Sequence, residues 1–128
     1  ERIIGMSRDI YFFDTYAIIE IVKGNANYKR YIDCSVIISV FNLVELHLHI
    51  TRIFGEEIAD DILVEYSKSV VHFELEDIRE MTKLKIKYAK RKLSIPDTLG
   101  YSISKRLNIK FLTGDEKFKD MENVEFVK

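Results

Sequence analysis

Hydrophobic positions along this chain fall into two kinds of run. Short stretches rich in β-branched and aromatic residues, at 10–13, 36–41, 70–75, 110–113 and 124–127, read as strands. The first two are apolar nearly throughout instead of alternating, the pattern of strands covered on both faces. Between the strands, apolar residues recur at helical spacing over 15–22, 43–54, 56–67, 76–93 and 96–107, the second and third forming a helical hairpin broken at Gly55. Strand and helix therefore alternate, which predicts a parallel sheet with helices on both faces and right-handed crossovers. With one proline and five glycines there is no linker or low-complexity tract, so residues 1–128 are expected to form one α/β domain.

Composition narrows the class. At 47% hydrophobic and 32% charged residues the chain reads as globular and soluble. The single cysteine, Cys34, precludes an internal disulfide framework and makes a reducing cytoplasm the expected home. No apolar stretch is long enough to span a bilayer, and the start lacks the order of a signal peptide. Residues 1–8 are read as an N-terminal extension, appended or flexible, that carries no functional weight. Net charge is −1, but residues 82–92 hold six basic side chains and no acid, leaving the rest at −7. Such a strip attracts a phosphate backbone; alone, it is better explained as a solvated helix face.

The candidate chemistry lies in Asp14, Glu45, Asp97 and Asp115, each placed where a strand stops or a helix begins. In parallel sheets ligands bind beyond the carboxyl ends of the strands, where the strand order reverses, and Asp14 and Asp115 follow predicted strands directly. Each acid taken singly has a structural explanation. Asp14 and Asp115 suit helix N-caps, and Asp97 completes a capping-box-like Ser94-Ile95-Pro96-Asp97 with proline in the first turn. Caps are equally well made by serine, threonine or asparagine, whereas all three positions here carry carboxylates. Glu45 sits in apolar surroundings after a buried strand, where a solvated glutamate is less expected. Carboxylates gathered at one sheet edge repel unless a cation neutralises them, and all-oxygen donors suit Mg²⁺ or Mn²⁺. A Glu45–His49 metal pair on one helix face lacks an evident third ligand.

The segments IYFFDTYAI, SVIISVFNLVEL, SIPDTLGYSISKRLNIKFLTGD and VEFV, in this order from Ile10 to the C-terminus, resemble the PIN-domain family. They resemble most its VapC-type toxin ribonucleases. The acids stand 31, 52 and 18 residues apart, as in compact members. The resemblance implies a three-layer α/β/α sandwich with a central, mainly parallel five-stranded sheet. It also implies that Asp14, Glu45, Asp97 and Asp115 form a catalytic, metal-binding quartet. Thr15 and Thr113 match the family's hydroxyl positions and, with Asn42 on the Glu45 face of its helix, are expected to orient carboxylates from behind. Many relatives place a further acid after the last of the quartet; Glu116 and Asp120 stand nearby but neither aligns, which leaves the number of ions open.

The implied activity is metal-dependent endonucleolytic hydrolysis of RNA, by the toxin of a VapBC-type pair. Substrate grip is expected from Lys87, Lys90 and Arg91 in the basic strip and from Lys105, two turns along the helix from Asp97. A small antitoxin is expected over an apolar groove that takes in Tyr16, Ile53 and Phe54, and a homodimer is also implied. The alternatives are a catalytically idle RNA-binding or scaffolding module, and a PIN nuclease of RNA processing without an antitoxin. An aspartyl-phosphate enzyme built on Asp14 is disfavoured, because its partner acid two positions on is replaced by Tyr16.

Overall fold

The computed structural model describes residues 9–128; the expected N-terminal extension, residues 1–8, lies outside the described residues. Strands β1 (Ile10–Phe13), β2 (Ser35–Ile37), β3 (Lys110–Thr113) and β4 (Val124–Phe126) pair in the order β2-β1-β3-β4, all parallel. Helices α1 (Thr15–Val22), α2 (Val40–Phe54) and α3 (Glu56–Ser67) cover one face, and α4 (Leu75–Lys87) and α5 (Ile95–Arg106) the other. Alternation along the strands divides the core. Tyr11, Phe13 and Leu112 join Ile18, Leu46 and Ile50 on the first face, while Phe12 and Phe111 join Leu99, Ile103 and Phe118 on the second. A Cβ at Gly100 would fall 2.5 Å from the Phe12 ring, so glycine there lets α5 lie close against the sheet.

Three expected elements are corrected. The sheet has four strands, because the third predicted strand, 70–75, is reduced to a single parallel bridge between Val70 and Ile38. Its second half is claimed by a helix start: Glu74 N–H donates to Asp77 in a capping box, and α4 begins at Leu75. The second predicted strand likewise ends early, at Ile37, because Ser39 caps α2 and pairs reciprocally with Asn42. At its other end α4 stops at Lys87 instead of running to Leu93, since Leu93 turns back to be buried in the second core. Short 3-10 turns not foreseen from the pattern, chiefly Ala26–Tyr31, carry Tyr28 and Tyr31 into the first core. Among the described residues no helix is long and apolar enough to cross a membrane.

Candidate functional site

The strand order reverses at β1, whose neighbours β2 and β3 lie on opposite sides, so a crevice opens beyond the carboxyl ends of β1 and β3. A cavity of about 250 Å³ stands there, lined by Asp14, Thr15, Tyr16, Ile19, Glu45, His49, Asp97 and Asp115. The four acids predicted from sequence are thus brought to one place, from four elements. Asp14 follows β1, Asp115 follows β3, Asp97 lies in the first turn of α5, and Glu45 lies in the second turn of α2.

The structure separates acids that cap helices from acids that do not. Asp14 occupies the N-cap position of α1 but makes no side-chain cap bond. Its carboxylate instead accepts the Thr113 hydroxyl at 2.7 Å, and its backbone N–H donates to the Leu112 carbonyl at 3.0 Å. At α5 the cap is Ser94, whose hydroxyl accepts from the Asp97 N–H at 3.2 Å, leaving the Asp97 carboxyl facing the cavity. Asp115 does cap: it accepts from the Lys117 N–H at 3.0 Å, while its own N–H donates to the Thr113 hydroxyl at 3.0 Å. Thr113 therefore ties the two strand-end acids together.

Glu45 is held from behind. Its Oε1 accepts the Thr15 hydroxyl at 3.0 Å, Asn42 Nδ2 donates to Thr15 at 3.2 Å, and Asn42 Oδ1 accepts from the Ser39 hydroxyl at 2.8 Å. Thr15 and Asn42 were anticipated in this supporting position; Ser39 was missed. The signal was present in the spacing Ser39-x-x-Asn42, that of a helix cap, inside a run otherwise read as strand. Gly114 was also passed over: a Cβ there would meet the Val127 carbonyl at 2.3 Å and the Tyr16 ring at 2.4 Å.

Electrostatics single out the same cavity. Burial and the neighbouring Asp97 push the Asp14 carboxyl well above the usual carboxylate range, against the opposing Thr113 hydrogen bond. Burial likewise raises Asp97 to about 6, helped by Glu45 and Asp115 and opposed by hydrogen bonds from Ser94 and Asp14. Among the described residues no lysine or arginine lines the cavity. Nor do any three His, Cys, Asp or Glu side chains among them stand as a ready-made coordination group. Their chemistry nevertheless fits a hard divalent cation: oxygen donors, partly desolvated, whose shared negative charge lacks a counter-ion.

Lys87, Lys90, Arg91 and Lys105 do not line the cavity. Lys87 and Arg91 both stand over the Tyr88 ring, at 5.3 and 5.0 Å. Arg91 pairs with Asp120 at 2.9 Å and donates to the Lys117 carbonyl at 2.7 Å, which sets it against the turn that Asp115 caps. Among the described residues Lys87 and Lys90 have no carboxylate within ion-pairing distance. Lys105 reaches towards Glu122 at 3.9 Å and lines a separate depression with Glu76, Asp77 and Glu80. Of the histidines, His49 is at the cavity, His47 pairs with Asp60 of α3 at 2.8 Å, and His72 is exposed in the irregular segment before α4. Ile53 and Phe54 are exposed, and Tyr16 lines the acidic cavity.

Comparison with known proteins bears on the fold. A family model described as the PIN domain matches residues 11–124. No curated protein matches the sequence. A chain of a toxin–antitoxin complex from Klebsiella pneumoniae has a similar structure, with a TM-score of 0.71 at 18% identity, covering 90% of this chain and 95% of that one. A chain of VapBC2 from Rickettsia felis, solved bound to a DNA fragment from its promoter, gives 0.70 at 17% identity, over 91% and 96%. At these identities the likeness is one of fold.

Proposed function

The chain belongs to the PIN-domain family, whose members are generally nucleases, and from that premise we propose that it is an endoribonuclease dependent on Mg²⁺ or Mn²⁺. One observation carries the reading. Four acids from four elements line one cavity at the topological switch point, and the most buried of them, Asp14, is spent on neither a cap nor an ion pair.

Asp14, Asp97 and Asp115 are the residues to hold the ion, with Glu45 completing the set or positioning the attacking water. When bound, a divalent ion supplies neutralisation of the charge building on the phosphoryl oxygens and acidification of the attacking water. The chain's own groups prepare for this. Thr113 fixes the Asp14 carboxylate, and the Lys117 N–H fixes that of Asp115. Thr15 fixes Glu45, with Asn42 behind it. In-line attack by water leaves 5′-phosphate and 3′-hydroxyl ends. Lys87, Lys90 and Arg91 are the candidate grips on the RNA backbone, with Lys105 the weakest of the set because it reaches towards Glu122 in a separate depression.

The fold it shares with chains of toxin–antitoxin complexes supports a role as the toxin of a VapBC-type pair, with a small antitoxin as partner and a homodimer as its assembly, in the cytoplasm. An apolar stripe is available for a partner: Val40, Val44 and Leu48, at four-residue spacing on α2, are 46%, 63% and 47% exposed. The test is cleavage of a labelled RNA by purified protein with Mg²⁺ or Mn²⁺ and with chelator. Cleavage is expected only with the ion, and Asp14→Asn or Asp97→Asn is expected to lower it at least about a hundredfold. Full activity in either variant sinks the assignment, and ion-independent RNA binding without cleavage establishes the idle-module alternative.

A further inference from the structure

Behind Glu45 the hydrogen bonds have a direction that the chemistry of their ends imposes. The Ser39 backbone N–H can only donate, and the Asn42 atom 3.0 Å from it must therefore be the carbonyl oxygen Oδ1. That oxygen also accepts the Ser39 hydroxyl, so the Asn42 amide cannot be flipped without setting donor against donor. Its NH₂ group is thereby turned on Thr15 at 3.2 Å. A threonine hydroxyl has one proton; with a donor already facing the oxygen, that proton goes to Glu45 Oε1, 3.0 Å away. Ser39, Asn42 and Thr15 are 0%, 1% and 6% exposed, so water is poorly placed to replace any link.

We infer that Ser39, Asn42 and Thr15 form a one-way hydrogen-bond relay, starting at a backbone N–H, that aims the Glu45 carboxylate into the acidic cavity as a preset acceptor. The inference rests on the metal-dependent reading above. It makes Asn42 and Ser39 positioning residues that act on the reaction through Thr15 and Glu45, in addition to capping α2. Held rigidly, Glu45 meets an incoming cation without the ordering that a mobile glutamate requires.

The test measures Mn²⁺ affinity by titration calorimetry on the full chain, without RNA, with thermal unfolding as the check on folding. Thr15→Val keeps the shape and removes the hydroxyl, and is expected to weaken Mn²⁺ binding about tenfold. Thr15→Ser restores the hydroxyl and is expected to stay within about threefold of the parent. Asn42→Leu cuts the relay upstream and is expected to weaken binding by a smaller factor. In a Glu45→Gln background Thr15→Val is expected to add nothing, the signature of a residue acting through Glu45 and one that general loosening of the fold does not produce. Parent-like affinity in folded Thr15→Val, or full additivity with Glu45→Gln, overturns the relay while leaving the metal site in place. Should Asn42→Leu fail to fold, the Thr15 and Glu45 variants decide the matter. Absence of Mn²⁺ binding in the parent chain, or binding unaffected by Asp14→Asn, instead overturns the metal-dependent reading itself.

Discussion

Among the described residues two carboxylates are buried, Asp14 at 3% exposure and Asp77 at 1%, and their surroundings are opposite. Asp77 opens α4 with its charge answered: Arg106 Nε stands 2.8 and 3.1 Å from its two oxygens, and the Glu74 N–H donates to it at 2.8 Å. The pair welds α4 to the end of α5. Asp14 receives the Thr113 hydroxyl and otherwise faces Asp97, Asp115 and Glu45, each of which makes its ionisation harder. Burial alone therefore does not identify a functional acid. What distinguishes Asp14 is burial among like charges, an arrangement that folding by itself does not reward.

The largest expected effect breaks the comparison into two signs. Arg106→Ala leaves Asp77 buried without its counter-charge and is expected to destabilise the fold by about 3 kcal/mol, the low end for a broken buried pair because Arg106 is partly exposed. Asp14→Asn removes a carboxyl whose ionisation its surroundings penalise and is expected to stabilise the metal-free protein by roughly 1 kcal/mol, the size of an ordinary stabilising substitution, although it lowers cleavage at least about a hundredfold. Urea unfolding in chelator measures both. A loss of stability in Asp14→Asn shows that its carboxylate is as structural as that of Asp77.

A somewhat smaller effect depends on pH. Asp97 ionises near 4 in the unfolded chain but holds its proton to about 6 in the fold. Between those values the folded state binds more protons than the unfolded, so this group's contribution to stability falls as pH rises from about 4 to about 6. The stability advantage of Asp97→Asn over the parent, in chelator, is therefore expected to be near zero at about pH 4 and roughly 2 kcal/mol at about pH 7. Millimolar Mn²⁺ at pH 7 is expected to narrow or reverse the gap by stabilising the parent. A gap independent of pH removes titration of Asp97 as its cause.

The same contrast explains what could be read before the structure was known. The runs IYFF and KFLT stood out as strands because sheet neighbours and helices cover them on both sides. The boundary within VIISVF did not, since strand and helix are both apolar there and the Ser39–Asn42 cap decides between them. The strand expected at 70–75 lost its second half to another cap, at Glu74 and Asp77. The four acids were legible as types at element edges. Which of them cap was not, because N-cap position and cap bond coincide at Asp115 and part company at Asp14, where Thr113 of a strand distant in sequence takes the carboxylate instead.

The smallest expected effect concerns where RNA lies relative to the two regions. Arg91 holds the carbonyl of Lys117, the residue whose N–H is fixed by Asp115, so it stands beside the acidic cavity. Lys105 stands beside the Asp77–Arg106 weld, about 12 Å along α5 from Asp97 at 1.5 Å per residue, and points towards Glu122. Arg91 is also engaged by Asp120, whose side of the pair is exposed, so that salt and a phosphate can both compete for it. Lys87, with no carboxylate in ion-pairing range among the described residues, can contact phosphate without breaking an ion pair, at the expense of its place over the Tyr88 ring. Charge reversal at Lys87 and Arg91 together is therefore expected to weaken RNA binding several-fold and to lower the slope of log affinity against log salt by about two, whereas Lys105→Glu leaves the slope nearly unchanged. Equal effects from both would move the track along α5, across the weld, and make the region around Asp77 part of the nucleic-acid surface rather than a purely structural joint.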